Sequence, residues 1–262
     1  MSSLALLCLA ALACIAGFLV VFVVAKRLNN FSVVDIAWSY AFGALAVFYA
    51  LGGAGWPVRR ALFAAMVAAS SLRLGTHLAR RILRHHPQED ARYAQLRTDW
   101  AANFVPKMLG FFLLQGFSVT LLGLGFVFVA QNTAPGFGLL EFAGLALWLG
   151  AFAGEAIADA QLAAFQRDPV RRSGVCDTGL WRYSRHPNYF FEWLTWVAYF
   201  VFALGSPLGW TAVVGPACML WLLLRVTGVP LTEAQSLRSR GDAYRRYQQR
   251  TSAFVPWFPR RT

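Results

Sequence analysis

Runs of about twenty apolar residues, most of them followed by a short basic cluster, recur along this chain and decide what it can fold into. Backbone amides find no water in hydrocarbon, so a run of that length persists there only as a helix whose hydrogen bonds close on themselves. Candidate spans lie at 4–25, 33–52, 61–79, 108–130, 138–164, 188–206 and 208–228. Only Gly205-Ser206-Pro207 separates the last two, which marks a helical hairpin. The first run has no charged stretch ahead of it and is too long for a cleaved leader, so it reads as a span. The expected fold class is all-α: a polytopic integral membrane protein of about seven transmembrane helices with a basic, cytosolic C-terminal segment. No repeat or low-complexity linker is visible, and 1–262 reads as a single membrane-embedded domain.

Charge places the loops. The net charge is +12, yet only 14% of residues are charged, 58% are apolar and the mean hydropathy is +0.49. Nucleic acid is the usual partner of so basic a chain. Here the basic residues sit in clusters between apolar runs, the pattern of the positive-inside rule, and nucleic-acid binding is set aside. Of the 24 Lys and Arg, all but Arg59, Arg60, Arg73 and Arg225 fall in the connections of one side or in the tail. With an odd span count this sets the N-terminus outside and the C-terminus in the cytosol. Cys8, Cys14 and Cys218 lie in apolar runs and Cys176 in a basic connection, so no disulfide framework is expected. The His residues show no ligand spacing, so no metal is expected, and no serine stands in a nucleophile elbow.

Ionisable groups at membrane depth are costly and face a protein interior or a wet cavity. Those read at such depth are Asp35, Arg73, His77, Glu141, Glu155, Asp159, Glu192 and Arg225. Glu155 and Asp159 are spaced i, i+4, as are Asn188 and Glu192, and the two faces flank a basic loop from Arg167 to Arg185. Interhelical hydrogen bonds and buried ion pairs are the plain structural alternative for each residue. The set as a whole points to a cavity open to the cytosol. Guanidinium groups suit phosphate, but neither a Rossmann nor a P-loop glycine pattern is present. A phosphate-bearing cofactor with a lipid entering from the bilayer uses both halves of the set. Glu141 is placed at the outer end of its span, near water, with no function. The tail interleaves Arg238, Arg240, Arg245, Arg246 and Arg250 with Tyr244, Tyr247, Phe254 and Trp257, which suits an anchor on anionic lipid or a lid.

The stretch Asp177-Thr-Gly-Leu-Trp-Arg-Tyr-Ser-Arg-His-Pro-Asn-Tyr-Phe-Phe-Glu192 resembles the signature of the membrane steroid 5α-reductase superfamily, in particular its bacterial branch catalogued as DUF1295. Val34-Asp-Ile-Ala-Trp38, Leu72-Arg-Leu74, Glu89-Asp-Ala-Arg-Tyr93, Ala158-Asp-Ala-Gln-Leu162 and Tyr247-Gln-Gln-Arg-Thr-Ser-Ala-Phe-Val-Pro256 extend the likeness over nearly the whole chain. The resemblance implies an NADPH-dependent reductase of a carbon–carbon double bond conjugated to a carbonyl in a steroid or other lipid. It implies a substrate-side half, 1–130, and a cofactor-side half, 131–262. Asp159, Asn188 and Glu192 match cofactor-holding positions, and Glu155 stands where the steroid enzymes have asparagine. Gln166 stands near a phosphate-binding arginine, a role that falls to Arg167, Arg171 or Arg172. Tyr183, Arg185 and His186 of the signature are assigned to the cofactor, with Arg225, Glu233 and Tyr247 further on. The steroid enzymes hold the ketone with a carboxylate on the second span and a tyrosine on the third. Asp35 fits the first role. The third span has no tyrosine, so Arg73 or His77 would polarise the carbonyl beside Asp35, with Trp38 lining the pocket. The alternative there is an Asp35–Arg73 ion pair that pins two helices. The Ala- and Arg-rich composition points to a bacterial source, and the chain is expected to be a monomer in the inner membrane with membrane lipids as its other partners.

Two other readings stand beside the reductase. Arg185-His-Pro-Asn-Tyr189 followed by Glu192 also resembles isoprenylcysteine carboxyl methyltransferases, which use S-adenosylmethionine. A non-enzymatic lipid-binding protein is the third, and the cost of its buried acids argues against it.

Overall fold

The computed structural model describes residues 1–260, and these form helices and turns with no strand. Six helical stretches are long and apolar enough to cross a membrane: Ser3–Leu28, Val33–Gly52, Pro57–His85, Ala101–Gln131, Leu139–Arg167 and Gly209–Arg250. The all-α membrane fold expected from the apolar runs is therefore the fold observed. The run expected at 188–206 forms α8, Pro187–Ala203, whose 17 residues cover about 25 Å at 1.5 Å per residue, short of a ~30 Å hydrocarbon core. That brevity is why the count by length is six rather than the expected seven.

The chain divides into two compact units, Met1–Gly138 with Ala203–Val214, and Leu139–Phe202 with Gly215–Thr262.

In the first unit α1 (Ser3–Leu28), α2 (Val33–Gly52) and α3 (Pro57–His85) are followed by a short polar helix α4 (Ala91–Asp99), then α5 (Phe104–Leu122) and α6 (Leu124–Gln131). Lipid tails give helices no hydrophobic reason to associate, so small residues that let backbones approach do the work. Ser39 and Gly43 on α2 face Ser71 and Gly75 on α3 in this way. The Ser71 hydroxyl donates to the Ser39 carbonyl and accepts from the Gly43 amide at 2.8 Å. A Cβ on Gly75 would sit 2.7 Å from the Tyr40 ring, and the Tyr40 hydroxyl lies 3.0 Å from Thr76 Oγ1. Glu141, expected beside water, is only 2% exposed. It lies in the first turn of α7 in the second unit and is buried there.

The second unit is built on α7 (Leu139–Arg167) and α8, then α9 (Val214–Trp221), a π-helical turn at Leu222–Val226 and α10 (Val229–Arg250). The π turn shows as the Thr227 amide bonding back to Leu222 O at 2.9 Å. It places Arg225 exposed at the end of the apolar run, not at its centre. Polar α10 kinks at Gly241, whose φ of 52° lies in the left-handed region. The tail beyond α10 is pinned by Arg185 N to Ser252 O at 2.8 Å, Trp257 N to Tyr183 O at 2.9 Å and Ser184 Oγ to Phe254 O at 2.8 Å.

Candidate functional site

Two polar centres emerge, one in each unit. In the first, Asp35 occupies the first turn of α2, where the sequence reading had it near the middle of the membrane beside Arg73 or His77. Its carboxylate instead accepts from Arg92 Nη2 and from the Tyr93 hydroxyl, each at 2.6 Å. The reason is α4. The segment before it is laced to the α1–α2 turn by Phe31 N to Glu89 at 2.7 Å and Asp90 N to Ser32 Oγ at 2.9 Å. Arg97 bonds Glu89 at 3.2 Å and lies over the Phe31 and Phe104 rings. Lacing this close brings the Arg-Tyr pair onto Asp35.

The electrostatics follow from burial and partners. For Asp90, burial pushes the carboxyl up, but the Arg92 bond and the charges of Arg92 and Arg81 outweigh it and hold the group below its ordinary value. Burial opposes the Arg92 charge, yet Asp35 and then Asp90 leave the guanidinium more firmly protonated than usual. Burial first, and Asp35 second, lift the Tyr93 phenol well above its ordinary range. Tyr93 thus stays a neutral donor, and Asp35 is set as an acceptor with both oxygens taken. Trp38 donates to Ser118 Oγ at 2.9 Å and packs edge-on against Phe42. Arg73 is half-buried on α3, and His77, one turn on, is exposed.

In the second unit the signature stretch forms a scaffold between α7 and the tail. Gln161 accepts from the Leu180 amide at 2.9 Å, and the Trp181 indole donates to Ala158 O at 3.0 Å. Trp181 packs with Phe165 and Cys176, and burial raises the Cys176 thiol above its ordinary value. Asn188 Nδ2 lies 3.3 Å from Asp159 Oδ1, joining α8 to α7. Glu155, one turn before Asp159, is buried, and Glu192 accepts from Trp196 at 3.1 Å. Of these four residues, Asn188 near the start of α8 and Asp159 on α7 meet directly, with Glu155 one turn before Asp159 and Glu192 one turn after Asn188 on their own helices.

The remaining signature residues have other tasks. Arg185 bonds Glu233 at 2.6 Å and the carbonyls of Gln248 at 3.0 Å and Thr251 at 2.6 Å. His186 is buried, stacked on Tyr189 at 5.3 Å, with Nε2 3.4 Å from Glu233 Oε1. Buried Tyr247 donates to Trp181 O. Arg185, Glu233 and Tyr247 therefore hold the tail to the scaffold. Gln166, Arg171, Arg172, Tyr183 and Arg225 are all exposed, and Arg171 lies over the Phe165 ring at 5.9 Å.

Arg92 and Tyr93 were not foreseen as site residues. Their signal was present in Glu89-Asp-Ala-Arg-Tyr93, a run of acids followed by Arg-Tyr in an otherwise apolar chain. Among the described residues no group of His, Cys, Asp and Glu could hold a metal. No curated protein and no solved structure matches the chain. A family model described as a protein of unknown function, DUF1295, matches residues 21–251, and the chain belongs to that family.

Proposed function

We propose that this protein is an NADPH-dependent reductase of a conjugated carbon–carbon double bond in a steroid or other membrane lipid, with its basic connections and tail in the cytosol. The observation that carries the reading is the Asn188–Asp159 contact, with Glu155 and Glu192 each one turn away along the same helices. A side-chain amide next to carboxylates can both donate to and accept from a carboxamide, the polar end of a nicotinamide. The fit is good for that end. For the phosphates, Arg171 and Arg172 are exposed and suited, whereas Arg185 is taken up by Glu233 and backbone carbonyls. The cofactor would supply a hydride, and the protein supplies alignment.

On the substrate side, reduction of an enone builds negative charge on the carbonyl oxygen, which a cationic or protic donor must meet. Arg73, half-buried on α3, is the residue assigned that task, with His77 next on the same face. Asp35 cannot donate a proton while it accepts from Arg92 and Tyr93. It acts as a positioning residue that fixes α4, and Trp38, tied to Ser118, serves as an aromatic wall.

The test is direct binding to detergent-solubilised protein, with mass spectrometry of copurifying small molecules. NADPH should bind, and Asn188→Ala should weaken it at least about tenfold, the usual cost of losing a hydrogen bond in a polar site. Binding of S-adenosylmethionine without NADPH would give the protein to the methyltransferase reading. Binding of neither, with lipid copurifying, would make it a lipid-binding protein.

A further inference from the structure

Beyond the α7–α8 cluster, the second unit holds a cleft of ≈ 500 Å³ between the loop at Val175–Asp177 and the second half of α10. Its walls include Val175, Asp177, Arg246, Tyr247, Gln249 and Arg250. The kink at Gly241 gives residues 242–250 a direction of their own, so this stretch lines the cleft independently of the first half of α10. Arg246 and Arg250 are spaced i, i+4, which places both guanidinium groups on one face. Arg246 and the Gln249 amide have no hydrogen-bond or ion-pair partner among the described residues. Arg250 has only Asp177, at 3.3 Å, and both side chains of that pair are more than two-fifths exposed. A pair so exposed is weak and easily exchanged for a better anion. The wall behind is rigid, because the Tyr247 hydroxyl is anchored on Trp181 O and Arg240 donates to Gly174 O at 2.6 Å.

We propose that this cleft is a phosphate-recognition subsite, in which Arg246 and Arg250 grip a phosphate monoester and Asp177 is the counter-ion that yields to it. Two guanidinium forks with a neutral amide between them match phosphate oxygens. The cleft is larger than a bare phosphate needs, and Val175 and Ala243 give it an apolar side, so the phosphate arrives on an organic group. A phosphorylated adenosine and a lipid headgroup both carry that chemistry. The nucleotide source rests on the reductase reading; the lipid source does not.

The full-length protein in detergent is titrated with 2′,5′-ADP, and in nanodiscs with phosphatidic acid against phosphatidylcholine, at low and physiological salt. The variants are Arg246→Gln with Arg250→Gln, and Asp177→Asn. Arg245→Gln is the control, since Arg245 is paired with Asp242 at 3.0 Å and does not line the cleft. The double variant should weaken the bound phosphate by at least about tenfold, the loss expected for charge-assisted bonds, while Arg245→Gln leaves it unchanged and Asp177→Asn tightens it. Saturable 2′,5′-ADP binding that depends on both arginines assigns a nucleotide. Preference for phosphatidic acid that depends on both, without 2′,5′-ADP binding, assigns a lipid. Equal loss in Arg245→Gln, or no binding of either probe, overturns the subsite. NADPH and phosphatidic acid binding that both survive the double variant, with NADPH binding lost in Asn188→Ala, would sink this inference and leave the reductase reading standing. Arginine-dependent phosphatidic acid binding without any NADPH binding would do the reverse.

Discussion

If Asp35 is a positioning residue, Asp35→Asn should lower stability more than it lowers chemistry. Both carboxylate oxygens accept at 2.6 Å, one from Arg92 and one from Tyr93. The Arg92 side chain is 36% exposed and that of Asp35 only 14%, so the pair sits between the surface and the buried regimes. An ion pair of this kind contributes about 1–2 kcal/mol, and a neutral donor on a carboxylate about 1.5 kcal/mol. An asparagine keeps one acceptor and loses the charge, so the cost should be about 2–3 kcal/mol. At ~2–4 °C per kcal/mol for a chain of this size, the Tm should fall by about 4–12 °C. Tyr93→Phe removes one bond alone and should cost about half as much. The double variant should fall short of the sum by about 1 kcal/mol or more, because both changes act on one contact. Thermal unfolding in detergent measures all three. Unchanged melting of Asp35→Asn, with turnover of an enone lipid reduced about a hundredfold, would refute the positioning role and restore Asp35 to the chemistry. Strict additivity would show that the Tyr93 bond does not stabilise the clasp.

Two further outcomes test the frame. Gly75→Val should destabilise the fold by about 1–3 kcal/mol of overpacking and lower the Tm, because its Cβ meets the Tyr40 ring, whereas Gly110→Ala, with nothing within 4 Å, should be neutral or better; equal effects would mean that α2 and α3 are not packed this closely. Reporter fusions at 95, 175 and 262 should report the cytosol and those at 55 and 134 the outside, and a cytosolic signal at 134 would overturn the orientation.

The helices were legible because hydrocarbon admits so few backbone solutions. The run from Leu4 to Val24 could only be α1, and the break at Gly205-Ser206-Pro207 did separate two helical segments. The i, i+4 spacing of Glu155 with Asp159 and of Asn188 with Glu192 marked two polar faces flanking the basic loop, and the structure joins them through one contact, Asn188 to Asp159 at 3.3 Å. The partner of Asp35 was not legible. Arg73 is a nearby arginine in a sequence sense, one span away, whereas Arg92 lies 57 residues on. It reaches Asp35 only because Phe31, Ser32 and Glu89 lace two connections together through backbone amides. Such bonds leave no periodic trace in a sequence. The same holds for Glu141, whose burial follows from neighbours rather than from its place in the run.

Arginine shows why residue type and loop position alone misassign roles here. Arg59, on the side that carries few basic residues, is 2% exposed and donates to the carbonyls of Asn132 at 3.2 Å and of Ala134 and Gly136 at 2.6 Å. Arg60 donates to Ala50 O at 2.6 Å and to Gly53 O, where α2 ends. Helix ends and irregular connections leave carbonyls that need donors, and water is scarce where they are buried. A guanidinium can bridge several such oxygens at once from a planar fork; an ammonium, a compact point charge, matches them less well. In the second unit Arg185 treats Gln248 and Thr251 in the same manner, and Arg240 treats Gly174. These arginines are structural donors tied to backbone carbonyls. Arg171, Arg172 and Arg246 have no carbonyl partner among the described residues. A guanidinium without an internal acceptor, held near others on one surface, is the group left to meet an anion from outside.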